Sequence, residues 1–429
     1  MRRSQIPSID NVKSESDIIV TSPVKSLDLE AANNKLREGA ASFDFNDGES
    51  PLGHVDVARV SSNDPVEDEW ALGIGRGVGG KRTLFAGIYD GHAGWATAVV
   101  VKQALIPYVS NALGRLEPSS NDEMINSALQ EAFRSLDNRI MENAREALGG
   151  QLEPGSAAGF SVIAPAVSGS CALLIMYELE SSVLRTAVLG DSRAVLGQPT
   201  SDNSSFTAMA LSKDQTGLNE DEVKRLDREH PDEIKDMIDT ATGRMLGIAV
   251  TRAFGDHRFK WDIDALKSLQ RDFFGYEPKP NYKTPPYMTA TPEITTHTIA
   301  TDDFVILASD GLWNVMSNDD AVECVYRWMK AKQEGKPEAA ADQKNGADFT
   351  ISDEGWPSYK ATPDHFVIED LDNAAVCLVK NALGGSRRDL FCGALTAYNP
   401  VSRYVRDDIT VQVVFFKDAY NEGNASIKA

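Results

Sequence analysis

The feature that constrains this chain most is a device used twice, a short apolar run that stops abruptly at Asp-Gly. Leu84-Phe85-Ala86-Gly87-Ile88-Tyr89 ends at Asp90-Gly91-His92-Ala93-Gly94, and Phe304-Val305-Ile306-Leu307-Ala308-Ser309 ends at Asp310-Gly311-Leu312-Trp313. Runs of this length bounded by turn residues predict buried strands. Two further aspartates stand at similar junctions, Asp191 after Val188-Leu189-Gly190 and Asp407 just ahead of Ile409-Thr410-Val411-Gln412-Val413-Val414. A lone Asp-Gly is most often only a turn. Carboxylates at converging strand ends repel one another, unless some keep their protons or a divalent cation neutralises them. Oxygen-only ligands of this kind suit Mg²⁺ or Mn²⁺ rather than zinc.

A chain of 429 residues can bury a large core. Its net charge of −21 argues against nucleic acid or an anionic membrane surface as the general partner. No apolar stretch approaches the ~20 residues that a membrane helix needs. Cys171, Cys324, Cys377 and Cys392 are widely spaced without a Cys-x-x-Cys pair, which points to a reducing compartment and no structural zinc. Arg2 and Arg3 are followed closely by Asp10, Glu15 and Asp17, so a basic mitochondrial presequence is not evident. No apolar core of a secretory signal follows them either.

Residues 1–50 are polar and aperiodic and predict a flexible lead-in, with a short helix over Leu27 to Leu36. From Val55 the character changes: His54 to Val60 alternates like a half-buried strand, and Glu67-Asp68 precede an apolar run at Trp70. Gly75 to Gly80 fits Gly-x-Gly-x-x-Gly, but a strand rather than a helix follows, and Arg82 stands where a phosphate loop needs Ser or Thr. A hairpin loop is the reading. Helices are expected over Trp95 to Leu113, Asn121 to Leu148, Asn219 to Glu229, Asp262 to Phe274, Asp319 to Ala331 and Leu371 to Leu383. Residues 332–363 are polar and rich in Gly, Pro, Lys and Asp, and predict a surface insertion. Strands come in runs and helices in separate stretches, which favours antiparallel sheets covered by helices. Acidic candidates scattered from Glu67 to Asp407 imply one domain rather than several.

The residues exclude several chemistries. No cysteine has Arg six positions on, as a thiol phosphatase requires, and no Gly-x-Ser-x-Gly elbow is present. A carboxylate-bound metal pair remains. Two such ions roughly 3.5–4 Å apart lower the pKa of a shared water and aim it at phosphorus. His92, two residues beyond Asp90, suits the general acid that a leaving alkoxide needs, although a structural His in a glycine turn is an equal reading.

Taken together, these stretches resemble the metal-dependent type 2C family of protein serine/threonine phosphatases. The resemblance rests on five of them in the family's order: Asp90 to Gly94, Gly190 to Arg193, Arg252-Ala253-Phe254-Gly255-Asp256, Ser309 to Trp313 and Asp407-Asp408-Ile409-Thr410-Val411. It implies an α+β fold, a four-layer α-β-β-α sandwich of two antiparallel sheets flanked by helices. The implied phosphatase domain spans 51–420, with 421–429 as a tail. It also implies two Mg²⁺ or Mn²⁺ ions per site and a weaker third. Asp90 bridges the ions, the Gly91 carbonyl is another ligand, and Asp310 and Asp407 complete one ion's set. Glu67 and Asp68 correspond to the acidic pair that holds metal-bound water, and Asp191 to the third-ion aspartate.

Within the family the likeness is greatest to the branch acting on pyruvate dehydrogenase. It is carried by Arg252 to Trp261, Asn281 to Ala290 and the double Asp407-Asp408. That branch implies the phosphorylated pyruvate dehydrogenase alpha subunit as substrate and the mitochondrial matrix as location. Two departures from the family stand out. Asn63 occupies the usual position of a phosphate-binding Arg, with Arg59 nearby but out of register, and Asn314 replaces an acidic residue. Two alternatives stay open: the same chemistry on a cytosolic phosphoprotein, and a catalytically weak regulatory module of the same fold.

Overall fold

The computed structural model of the chain describes residues 22–46, 51–338, 349–351 and 357–416. Strands are numbered here in chain order. One sheet of six runs β1 (Ala41–Asn46), β2 (Pro51–Val60), β16 (Ile409–Phe416), β13 (Phe304–Ala308), β9 (Arg193–Pro199), β10 (Phe206–Ala210). A second, of five, runs β12 (Glu293–Thr298), β8 (Val183–Leu189), β7 (Ala172–Glu178), β4 (Arg82–Tyr89), β3 (Glu69–Arg76). Two-residue strands β11 (Phe254–Gly255), β6 (Gly169–Ser170) and β5 (Gly91–His92) form a small third ladder, and β14 (Thr350–Ile351) pairs with β15 (Pro357–Ser358). Every ladder is antiparallel.

The central strands β4, β7, β13 and β16 read as nearly unbroken apolar runs because both of their faces are covered. On β4, Leu84, Ala86 and Ile88 point between the sheets, where Leu173, Ile175, Val305, Leu307 and Val414 meet them. Phe85 and Tyr89 point outward into the helices Ala96–Leu113, Asp122–Glu146 and Ala157–Val167. On β13, Val305 and Leu307 point inward. Phe304, Ile306 and Ala308 point out to Leu29–Arg37, Asn318–Glu334 and Ala374–Ala382. The result is the four-layer α-β-β-α sandwich.

All six expected helices form within a few residues of their predicted ends: Ala96–Leu113, Glu220–Glu229, Ile263–Phe273, Asn318–Glu334, Ala374–Ala382 and a sixth near 121–148. The sixth, Asp122–Glu146, begins where Asn121 caps it, its side chain accepting from Met124 N at 2.9 Å. The glycine stretch is a hairpin, with β3 and β4 paired from Glu69↔Tyr89 to Arg76↔Arg82. Ala157–Val167 was not legible as a helix, since Gly159 and Pro165 interrupt its pattern.

Ordered structure also starts before residue 51. Asp28 caps Leu29–Arg37, which buries Ala32 and Leu36 against the six-stranded sheet's helices, and β1 pairs with β2. This is the short helix expected over Leu27 to Leu36, and its docking corrects the flexible lead-in expected for the residues around it. Of the 332–363 segment, 339–348 and 352–356 lie outside the described residues, as do 1–21 and 417–429. Tyr359 and Ala361 within it are buried.

Candidate active site

Antiparallel register brings the acidic strand ends to one edge of the sandwich. In the five-stranded sheet Ile88 pairs with Leu173 and Ala172 with Leu189, so the exits of β4 and β8 lie side by side and deliver Asp90 and Asp191. In the six-stranded sheet Ala308 pairs with Val411 and with Arg193, which puts Asp310 beside the entry of β16 and its Asp407. Glu69 pairs with Tyr89 and Val60 with Ile409, adding the 61–68 loop.

Both Asp-Gly glycines are required by close approach. A Cβ on Gly91 would lie 2.3 Å from the Glu67 carbonyl oxygen, and one on Gly311 would lie 2.1 Å from that of Asp408. Glycine lets backbones bearing acidic residues cross at contact distance.

Each of Asp90, Asp191 and Asp310 offers a carboxylate oxygen within 4.8 Å of the other two, all three side chains being half-buried. Asp310 N donates to Asp90 Oδ2 at 3.4 Å. Burial, then Asp310, Asp68, Asp191 and Asp407, hold Asp90 well above the usual carboxylate range. Burial and then Asp407 do the same to Asp310. Asp191 is pushed up to about 6 by burial and Asp214. Asp68, 1 % exposed, is pushed up to about 8 by burial and Asp408, and its Oδ2 is buried without a hydrogen-bond partner. So many crowded carboxylates, one with an orphaned oxygen, form a donor set that hard divalent cations fit.

The other predicted residues are placed as follows. Asp407 raises the pKa of both Asp90 and Asp310, and its own carboxylate is paired with Arg403. Glu67 accepts from Gly94 N at 2.7 Å and from Asn63 Nδ2 at 2.9 Å. Asn63 also donates to Asp408 Oδ2 at 3.2 Å, so its amide serves to hold the acidic loop. Arg59 Nη1 donates to the Asp68 carbonyl and to Glu69 Oε2, both at 2.9 Å. Asn314 Nδ2 reaches Asp310 Oδ2 at 3.5 Å. His92 Nε2 bonds Asp256 Oδ2 at 2.6 Å; burial disfavours the charged ring, yet Asp256 overrides it and raises the histidine above its ordinary value.

Three participants escaped the sequence. Asp256 was quoted in a motif, but nothing in local spacing ties it to a histidine 164 positions earlier. Asp408 is the anchor of the acidic loop: its carboxylate accepts from the backbone N–H of Ser62, from Asn63 N at 3.0 Å and from Glu67 N at 2.9 Å. Arg403, which pairs with Asp407 and acts on Asp310, sits four residues before Asp407, a helical spacing that could have flagged it.

Residues 55–347 match the family model for protein phosphatase 2C. The chain belongs to the type 2C protein phosphatase family. It is 37 % identical to a protein phosphatase 2C homolog of Schizosaccharomyces pombe, over 93 % of this chain and 85 % of that one. It is 34 % identical to the mitochondrial pyruvate dehydrogenase (acetyl-transferring) phosphatase 1 of Saccharomyces cerevisiae, over 90 % of this chain and 72 % of the relative. Identity to the human protein of that name is 30 %, over 87 % and 79 %. Among solved structures, a Toxoplasma gondii serine-threonine phosphatase 2C superposes with a TM-score of 0.50 at 18 % identity, covering 88 % of this chain and 99 % of the other. That likeness supports the fold alone. The phosphatase is therefore a protein serine/threonine phosphatase by family. No helix among the described residues is long and apolar enough to cross a membrane.

Proposed function

We propose that this phosphatase removes phosphate from phosphoserine and phosphothreonine in the pyruvate dehydrogenase complex, in the mitochondrial matrix, with the acidic cluster as a Mg²⁺ or Mn²⁺ centre. The observation that carries the chemistry is the Asp90–Asp191–Asp310 cluster, three carboxylate oxygens within 4.8 Å of one another. Asp90, Asp310, Asp407 and the Gly91 carbonyl would hold a pair of ions, Asp191 a third, and Glu67 and Asp68 water around them. Bound divalent ions supply Lewis acidity toward the phosphoryl oxygens and acidify coordinated water.

The protein's own groups do the rest. Asp256 holds the His92 ring through Nε2 and favours its charged form, so that Nδ1 is the nitrogen that would give its proton to the departing serine or threonine oxygen. Asp408 holds the Ser62 to Glu67 loop, so that Glu67 and Asp68 keep their positions at the rim. Asn63 and Arg59 are the groups proposed to lie along the substrate's path.

The substrate assignment is supported by the two pyruvate dehydrogenase phosphatases, which match at 34 % and 30 % identity over most of their length. Phosphopeptide hydrolysis with Mn²⁺ against EDTA tests the chemistry. Asp310→Asn is expected to abolish turnover, and equal rates with and without chelator would sink the metal reading. Phosphoproteomics after deletion tests the substrate, with gained phosphate on the pyruvate dehydrogenase alpha subunit as the expected result. Unchanged phosphate there would move the enzyme to another substrate.

A further inference from the structure

Beside the acidic loop lies a cavity of about 270 Å³ lined by Lys35, Ser61, Asn63, Asp64, Tyr398 and Arg406, among others. Its chemistry is opposite to that of the metal centre. Arg406 is only 9 % exposed. Its guanidinium donates to the carbonyls of Ala394 and, at 2.7 Å, Ser61, while its buried Nε has no partner. Lys35 Nζ donates to the Leu395 carbonyl at 2.6 Å. Burial, and then Arg406 itself, lower the Lys35 pKa below the ordinary lysine value, against a smaller opposing pull from Glu38.

Two cations share the cavity and bond only backbone carbonyls; Asp408 attracts Arg406 and Glu38 attracts Lys35 through space, but neither carboxylate forms an ion pair with them, so lost hydration is only partly offset. Asp64, at the exposed rim, is the one carboxylate that lines the cavity, and it forms no ion pair with either cation. Arg406 and Lys35 still carry unused N–H donors, and a guanidinium fork suits phosphoryl and carboxylate groups. The cavity has room for such a group, and exposed Ser61, Asp64 and Tyr398 leave it open to solvent.

We propose that the Lys35–Arg406 cavity is an anion site that receives an acidic or phosphorylated side chain flanking the residue to be dephosphorylated. The cavity and the metal centre share one wall, the 61–68 loop, in which Ser61 and Asn63 line the first while Glu67 and Asp68 reach the second. An anion there engages the substrate on the far side of that loop. The anion site itself stands on the cavity alone, whereas its use by substrate rests on the phosphatase reading above.

The test has two arms on the full chain. In EDTA, where the acidic cluster repels anions, sodium sulfate at constant ionic strength is titrated against thermal unfolding. Wild type and the charge control Lys267→Glu are expected to show a saturable rise in Tm that Lys35→Glu lacks. Parallel titrations in all three would overturn the site. Lys35 lies half-exposed on its helix, so this variant keeps the fold even where Arg406→Gln does not. In the second arm, with Mn²⁺, a phosphopeptide flanked by glutamates is compared with one flanked by glutamines. Lys35→Ala is expected to lower the preference for the acidic peptide about tenfold, the loss of one charged hydrogen bond, with p-nitrophenyl phosphate turnover unchanged. Loss of the sulfate effect with an unaltered peptide preference would keep the anion site and overturn its substrate-borne occupant in favour of a free anion. Absence of any turnover by wild type would instead refute the phosphatase reading, and the sulfate arm would still decide the cavity.

Discussion

Asp256 Oδ2 lies 2.6 Å from Nε2 of His92, joining the histidine of the Asp90-Gly91-His92 turn to a segment 164 positions downstream. Asp256 adopts a left-handed backbone at φ 57°, and Gly255 before it is anchored by Asp137 at 2.9 Å, so the carboxylate is presented rigidly. The pair fixes the orientation of a turn histidine and favours its charged form.

Replacing Asp256 with Asn removes the charge that raises the His92 pKa. Activity that needs protonated His92 is lost as pH rises through that pKa, so the variant should lose activity at a lower pH than wild type. His92→Ala should reduce kcat on phosphopeptides by about 10²–10⁴-fold. The loss should be much smaller on p-nitrophenyl phosphate, whose leaving group needs no proton. Full pH–rate profiles on both substrates check this, and equal losses on the two would assign His92 a structural role.

Stability without metal should fall as pH rises. Asp68 and Asp191 have folded-state values near 8 and 6, above those of an unfolded aspartate. The folded chain therefore binds protons more tightly than the unfolded one. The stabilisation is complete below about pH 4, the unfolded value, and is lost as pH climbs through 6 and then 8. Thermal melts from pH 5 to 8.5 in EDTA should show this decline, and Mn²⁺ should flatten it. A pH-independent difference between the two series would contradict the crowding of charge.

Gly91→Ala and Gly311→Ala each drive a methyl into a backbone carbonyl, at 2.3 and 2.1 Å. Overpacking against backbone costs about 1–3 kcal/mol. Urea unfolding should show that loss, together with weaker Mn²⁺ binding, since the crossing that assembles the carboxylates is forced apart.

Asp408→Ala should leave the backbone N–H groups of Ser62, Asn63 and Glu67 without their acceptor. Unsatisfied buried donors cost about 1–3 kcal/mol each, so a loss on the order of 3 kcal/mol is expected. Calorimetry reads the stability. A rise in the Mn²⁺ concentration needed for half-maximal activity would show that the Glu67–Asp68 pair has slipped.

The apolar runs β4 and β13, and the aspartates that end them, were plain in the sequence because burial on both faces leaves an uninterrupted signal. The short helix expected over Leu27 to Leu36 forms as Leu29–Arg37, but β1 was not legible, since its exposed, polar-interrupted pattern becomes a strand only by pairing with β2. Arg59 and Asn63 illustrate a different gap: Asn63 was marked as a substrate group by the family position of a phosphate-binding Arg, and Arg59 as its neighbour, while the fold shows their polar atoms engaged by Glu69, Glu67 and Asp408.

By itself, then, the sequence determined which segments are buried strands and which carboxylates end them, since hydrophobic period and turn chemistry are local properties. Tertiary structure alone decided that Asp90, Asp191 and Asp310 meet, that Asp256 pairs with His92, and that Lys35 shares a cavity with Arg406. Those are distances between remote points of the chain, set by strand register and sheet packing, and electrostatic energy depends on them steeply.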